Sequence, residues 1–460
     1  MFNLINSKMK KFLVAALAVL AFVSCSKEGS NNQDDGKKAY ISFGITQSAV
    51  TRATETPTTE EGVMGDWTIY VFNSAQSLIK IVDVASPATV TDAIELTATK
   101  HYFLFAVNKP GAPNAAPAIA LNENIDAVEM KLMENFATIA PITTANGSGG
   151  TDFYITNVKR EELVLNSGTT ASTPQTATIQ VGRGMVKARL NPTTSATQTG
   201  NGQLLSATVK YLGANNPDAM YAFPHRNTNG QLLSPYFTDA AVTVSQYFPT
   251  LQTVMTGWET PSSTAGEGIY MMENSNNVPK QGNSSFLLIE GKYEPATWVK
   301  KDGTDAGAYT ANTTFYRVGK KVDPGTNDKI ASFLPYILSE DITTNSEMEA
   351  FLDFVDPDGL GAGNYAAEVT KYGVEEYVDG VTYYALYLGD QSLSTSTARY
   401  TVARNYLYNV TINEITGPGY GDPGNVVPDP EKPLEEQAFL KVTITVAPWE
   451  MINQGGILGN

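Results

Sequence analysis

The stretch Ile41–Glu60 reads ISFGITQSAVTRATETPTTE, and its two halves behave differently. In the first, Ile41, Phe43 and Ile45 alternate with Ser42, Gly44 and Thr46, the period of a strand with one face turned to a core. In the second, from Thr51 on, the apolar period stops, Pro57 interrupts, and threonine and glutamate dominate, which predicts an exposed loop. Arg52 is the first arginine of the chain, and the next is Arg160. A trypsin-like protease needs an accessible basic residue in an open segment, and the polar surroundings of Arg52 meet that need. A cut after Arg52 would start the chain at Ala53 and detach the Ile41–Ala49 strand.

Upstream, Lys8, Lys10 and Lys11 precede the apolar run FLVAALAVLAFV, Phe12–Val23. A basic start, a short apolar stretch and a small residue at the cleavage point predict a secretory signal over residues 1–24. The apolar run is too short for a comfortable transmembrane helix. The one cysteine, Cys25, stands where a bacterial lipoprotein carries its lipid, although Phe22 replaces the usual leucine. An ordinary signal with an incidental cysteine is the plainer alternative. Ser26–Lys38 is polar and reads as a tether.

At 460 residues the chain exceeds one typical core, and two domains are expected. Threonine, valine, isoleucine and aromatic residues favour strands. The net charge of −16 argues against binding a phosphate backbone. One cysteine excludes an internal disulfide, and two histidines, His101 and His225, argue against a histidine zinc site.

Alternating or continuous apolar patterns predict strands at Asp66–Asn73, Ser77–Val84, His101–Asn108, Ala177–Val181 and Gly184–Leu190. These form a first set, closed by the Thr/Ser/Gly/Asn-rich stretch Asn191–Gly202. A second set covers Leu204–Leu212, Ala219–Pro224, Ser284–Pro295, Thr313–Gly319, Val381–Leu388 and Asn405–Ile415. A capping box at Ser346–Glu349 starts one helix, and Glu129–Thr138 predicts another. The expected fold is all-β with minor helices, as two β-sandwich domains.

Gly417–Pro433 reads as a Pro/Gly-rich, extended linker. Beyond it, Phe439–Met451 is one more strand. Leu440, Val442, Ile444 and Val446 form its apolar face, and Trp449 follows Pro448. A strand hung on a linker has no obvious place in its own domain to bury that face. Loss of the Ile41–Ala49 strand would leave a groove with unpaired backbone groups, a template for strand addition from another chain. A groove at one end and a donor strand at the other make a head-to-tail interface that grows open filaments. The simpler alternative is that both strands pair within their own domains and Arg52 is an ordinary surface residue.

At its two ends the chain resembles the fimbrillins of the Bacteroidales type V pilus, in particular the shaft subunit of short (minor) fimbriae. FVSCSKEG (Phe22–Gly29) is similar to the family's lipoprotein start, and Thr51-Arg52-Ala53 to its maturation site. RNYLYNVTI (Arg404–Ile412) and VTITVAPWEM (Val442–Met451) are similar to its closing segment, and GRGMVKARL (Gly182–Leu190) to the strand that closes its first domain. The resemblance implies two transthyretin-like sandwiches in tandem, over residues 53–195 and 196–432. It also implies a lipidated propeptide over residues 25–52, with the removable strand carrying Ile41, Phe43 and Ile45, and a C-terminal donor segment over residues 433–460. The implied life history is lipid anchorage at the outer membrane through Cys25, cleavage after Arg52 by an arginine-specific protease, and homopolymerisation into a surface fimbrium. Implied partners are further copies of the chain, anchor and tip subunits, and receptors on host or bacterial surfaces. A tip adhesin or a lipid-anchored, glycan-binding surface protein is the alternative.

Enzyme chemistry finds no foothold. Gly147–Gly150 lacks the Lys-Ser/Thr of a phosphate loop, and no G-x-S-x-G elbow occurs. Asp353–Asn364 suggests a calcium loop, but Phe354 and Tyr365 stand where its first and last carboxylates belong, so a turn is favoured. No cofactor, metal or nucleic acid is expected.

Overall fold

The computed structural model describes residues 37–47, 66–84, 91–98, 101–108, 118–133, 154–159, 161–217, 220–235, 237, 257–318, 336–355, 372–390, 399–427, 429–434 and 440–448. The first half contributes β1 (Lys38–Gln47), β2 (Trp67–Asn73), β3 (Leu78–Val84), β4 (Ile94–Thr97), β5 (His101–Asn108), α1 (Ile125–Met133), β6 (Ile155–Asn157), β7 (Glu161–Val164) and β8 (Gln175–Arg183). There follow β9 (Val186–Leu190), β10 (Thr197–Gln198), β11 (Gly202–Leu204), β12 (Lys210–Ala214), β13 (His225–Arg226), β14 (Leu232–Leu233), β15 (Ile269–Met271) and β16 (Phe286–Pro295). The last are β17 (Phe315–Val318), β18 (Tyr336–Leu338), α2 (Asn345–Val355), β19 (Val374–Tyr377), β20 (Val381–Tyr387), β21 (Tyr406–Ile415) and β22 (Leu440–Pro448). The fold is all-β with two α-helices among the described residues.

One sheet runs β3-β2-β5-β6-β8-β1-β4, with β7 also on β5. A second runs β10-β21-β9-β15, with β22 on the free side of β21. The two sheets repeat one arrangement. In the first, β4 pairs antiparallel with β1, β1 parallel with β8, and β8 antiparallel with β6. In the second, β15 pairs antiparallel with β9, β9 parallel with β21, and β21 antiparallel with β22. Thus β9 is to β21 what β1 is to β8.

Burial follows this division. One cluster holds the buried apolar residues described in β1 to β8 and on to Met185, and the next starts at Val186. The boundary expected after residue 195 therefore falls too late: β9, assigned above to the first set, joins the second sheet. Strand period reports a buried face but not which sheet owns it. Two glycines make the crossing possible. A Cβ on Gly184 would lie 2.3 Å from the Tyr154 ring, and one on Gly182 would lie 2.8 Å from Val158.

The second half also reaches back. Met220, Ala222 and Phe223 pack in the first cluster, and the strand expected at Ala219–Pro224 is not formed among its described residues. This segment is held by a buried ion pair instead. Arg404 donates from Nε and Nη2 to Glu273 (2.9 and 2.8 Å), and from Nη2 and Nη1 to the Tyr221 and Ala222 carbonyls (2.6 and 3.2 Å). Its donors are thereby met inside the protein, the condition under which a buried charge is tolerated. The Tyr154 hydroxyl donates to the same Ala222 carbonyl at 2.9 Å.

Local chemistry corrects two further expectations. Leu204–Leu212 is interrupted by a 3-10 turn, Ser206–Thr208, which separates β11 from β12. The capping box of α2 is Thr344 with Glu347, two residues earlier than the Ser346–Glu349 pattern: Glu347 N donates to Thr344 Oγ1 and Thr344 N to Glu347 Oε2, both at 3.3 Å. Met348, Phe351, Leu352 and Val355 form the buried face of α2, as their spacing predicts. Asp353 to Val355 of the considered calcium loop end this helix, and residues 356–364 lie outside the described residues.

The crossing predicts a sharp contrast. Gly184→Ala is expected to destabilise the protein by about 1–3 kcal/mol, because the new methyl must displace a buried ring. Gly417→Ala, with nothing within 4 Å of its Cβ position, should leave the urea midpoint unchanged.

Candidate functional site

The strand that opens the description is an interior strand. β1 pairs with β8 at seven positions, Ile41↔Gln175 through Gln47↔Val181, and with β4 at four, Lys38↔Thr97 through Ile41↔Ile94. Beyond the β4 pairing, Thr91 continues the bonding. The Phe43 N–H donates to Thr91 Oγ1 at 2.9 Å while the Thr91 N–H donates to the Phe43 carbonyl at 3.0 Å. On the other side the Tyr40 N–H donates to Thr169 Oγ1 at 2.7 Å. At the solvent end Glu95 accepts from Tyr40 Oη (3.0 Å) and pairs with Lys38 (2.8 Å), and these partners hold its carboxyl below the usual range.

The inward face of β1 is Ala39, Ile41, Phe43 and Ile45, all between 0% and 4% exposed. Burying the three larger side chains is worth about 5–9 kcal/mol before conformational entropy is subtracted. β1 is also the N-terminal element of the described chain, so one backbone cut downstream separates it. Its removal would strip β8 of a partner at seven positions and β4 of its described strand partner.

At the other end, β22 pairs antiparallel with β21 at nine positions, Tyr406↔Pro448 through Ile415↔Leu440. Among the described residues β21 is its only strand partner, so β22 is an edge strand. Leu440, Val442, Ile444 and Val446 all lie in it, and Ile444 packs in the second cluster. The expectation that this strand has no place in its own domain is thus corrected: β21 offers one. The expected linker is corrected too. Gly417–Gly421 lies along β20 and β19, with Tyr384 Oη donating to the Gly417 carbonyl and Tyr377 Oη to the Gly419 carbonyl, both at 2.9 Å. Tyr420 exchanges both backbone bonds with Tyr383 at 2.7 Å. Glycine is required here because a Cβ on Gly419 would lie 2.1 Å from the Tyr383 carbonyl oxygen. Close approach, more than linker stiffness, explains Gly419 and Gly421.

Cys25, Arg52, Ala53 and Trp449 lie outside the described residues. Of the predicted site residues, the structure brings Ile41, Phe43 and Ile45 together in one core. It places Ile444 with the rest of β22 at the edge of another sheet. Among the described residues no group of three or more His, Cys, Asp or Glu side chains is placed to hold a metal ion.

Residues 375–455, which run through β20, β21 and β22, match the family described as major fimbrial subunit protein type IV, fimbrillin, C-terminal. The minor fimbrium subunit Mfa1 of Porphyromonas gingivalis is 22% identical, with 96% of this chain and 98% of that protein covered. The major fimbrium subunit FimA type-4 of the same organism is 25% identical, with 97% and 99% covered. The chain is thus similar to Bacteroidales fimbrillins along nearly its whole length, and its residues 375–455 match the fimbrillin C-terminal family. Among solved fimbrillins, FimA from P. gingivalis W83 is 17% identical over 92% of this chain and 100% of that one, with a TM-score of 0.47.

Several residues of the site were not visible in the sequence. Thr91 and Thr169 sit among many threonines, and nothing in their local pattern marks them as partners of β1. Tyr377 and Tyr384 lie in the second core, and their hydroxyls also hold the Gly417–Gly421 turn. The Tyr-Tyr pair at Tyr383 and Tyr384 in a strand beside a Gly-Pro-Gly stretch is the signal that could have suggested it.

Burial pushes the Tyr384 and Tyr377 hydroxyls well above the ordinary phenol value near 10, so both remain neutral donors at neutral pH. A group whose folded pKa is raised contributes stability below its unfolded pKa and loses it as pH rises. Stability is therefore expected to be flat up to about pH 9 and to fall above about pH 10. In an absorbance titration at 295 nm, exposed tyrosines should ionise first. The buried set should follow abruptly, together with loss of near-ultraviolet circular dichroism.

Proposed function

We propose that this chain is the structural shaft subunit of a cell-surface fimbria. It is exported as a lipoprotein with its lipid on Cys25, held at the outer membrane, and cut after Arg52 by an arginine-specific protease. The mature subunit, starting at Ala53, polymerises head to tail: the C-terminal segment, residues 433–460, of one copy fills the place of β1 in the next. Anchor and tip subunits terminate the filament, and the fibre supports adhesion to host or bacterial surfaces and biofilm formation. In this reading residues 53–195 and 196–432 remain the two sandwich units in outline, with β9 contributed by the first range to the second sheet.

The observation that carries the proposal is the contrast between the two terminal strands. β1 lies between two strands and belongs to the segment upstream of Arg52, whereas β22 lies at an edge. A strand in the place of β1 bonds along both edges and buries a full apolar face. A strand on β21 bonds along one. Transfer from an edge to an open interior slot therefore runs downhill, and it needs no energy source beyond the cleavage that opens the slot. The names of the relatives, minor and major fimbrium subunits, agree with this role.

The test is genetic. An Arg52→Ala precursor should stay lipid-anchored and monomeric, with surface filaments reduced at least tenfold in sheared fractions. Deletion of residues 437–460 should also abolish filaments while leaving the subunit folded. Normal fibres from either variant would overturn the proposal.

A further inference from the structure

The chain beyond β21 does not run free towards β22. After the Gly417–Gly421 turn, Val426 and Val427 are buried beside Phe286 and Leu288. Residues 429–434 then cross the loop 278–283. Gln281 N donates to the Lys432 carbonyl and Gly282 N to the Pro430 carbonyl, both at 2.9 Å, and Leu434 N donates to the Pro279 carbonyl at 3.3 Å. Lys280 pairs with Glu431. A Cβ on Gly282 would fall 2.5 Å from Pro430 Cβ, so the two backbones touch.

The loop that receives this segment is itself built from buried amides. Asn283 Oδ1 accepts from Lys280 N at 2.7 Å, and its Nδ2 donates to the Val278 carbonyl at 3.0 Å. Its own carbonyl accepts from Asn274 Nδ2 at 2.8 Å and Asn276 Nδ2 at 2.7 Å. Satisfied buried amides of this kind give a loop one shape. None of these contacts involves β22.

We infer that residues 417–434 are the fixed mount of the C-terminal strand, that strand exchange proceeds with the mount closed, and that the part of the C-terminal segment that crosses to the next copy therefore starts beyond Leu434. The inference rests on the polymerisation reading above for its consequence, but not for its structural content. Six peptide steps separate Leu434 from Leu440, a span of at most about 20 Å. Leu440 therefore stays within that distance of the mount whether β22 lies on its own β21 or in a second copy. The slot of the next subunit must come to the mount, so the loop 278–283 fixes the spacing of neighbouring copies.

The structural content is tested on the full chain without any filament. Ile444→Asp places a carboxylate at a buried position and loosens β22, and Ile444→Ala does so more gently. Hydrogen exchange should speed up at least tenfold in β22 of either variant. Exchange at Gln281, Gly282, Tyr420 and Gly421 should stay within twofold of the parent chain. A tenfold loss at those four amides would overturn the inference. The consequence is tested with Lys280→Cys plus Glu431→Cys, oxidised to lock the mount. Filaments at the parent level support a closed mount, and filaments lost on oxidation but restored by a reductant overturn it. Should the parent itself form no filament while the four amides stay protected, the polymerisation reading fails and the mount stands.

Discussion

Each of the two main sheets depends on a strand laid parallel to its last long neighbour. In the second sheet β9 does this for β21, and it is tied into the chain on both sides. In the first sheet β1 does it for β8, and among the described residues chain continues from it to further elements on one side only. Under the proposed cleavage, the same packing problem has a permanent solution in one core and a separable one in the other. The position of Arg52 downstream of β1 and upstream of β2 acquires its meaning from this asymmetry. Parallel pairing is slightly weaker per residue than antiparallel pairing, which agrees with the proposal that β1 is exchanged. The apolar face of Ile41, Phe43 and Ile45 makes an empty slot costly enough to demand a replacement.

The two cores are held in register by polar groups. The chain passes from one to the other at Gly184, where Tyr154 leaves no room for a side chain. It returns at Tyr221 and Ala222, whose carbonyls are claimed by Arg404 and Tyr154. Arg404 stands two residues before β21, so the strand that carries both β9 and β22 starts from the junction. Breaking such a buried pair from one side costs about 3–5 kcal/mol. The junction thus fixes the start of β21, and backbone bonds hold Gly417–Gly421 and residues 429–434 against their own subunit.

Much of this was legible in the sequence, and the limits have physical causes. Apolar patterning located β1, β2, β3, β20 and β21 closely, although β20 has one buried face and β2 is buried on both, and it located the near-continuous β5. It could not tell that Val186–Leu190 belongs to the second sheet, since a buried strand looks the same in either core. It took Ala219–Pro224 for a strand because a segment wedged between two cores is as apolar as a strand. It read Gly417–Pro433 as linker because glycine and proline mark both open chain and tight backbone contact, and only the Tyr383 and Gly282 neighbourhoods distinguish the two. At the site itself, the apolar face of β1 and the strand at the C-terminus were plain. The parallel register, the edge position of β22 and the threonine partners of β1 are tertiary facts with no local signal. The chemistry of lipidation and cleavage is the reverse case: Cys25 and Arg52 are marked by sequence context and need no fold to be noticed.

The account stands or falls on whether β1 leaves the subunit. The most direct measurement is the N-terminal sequence of the protein in filaments sheared from the surface of the producing bacterium. The account predicts a single start at Ala53. A subunit that still begins at a lipid-bearing Cys25 would keep β1 between β8 and β4, with no slot to fill, and would contradict it.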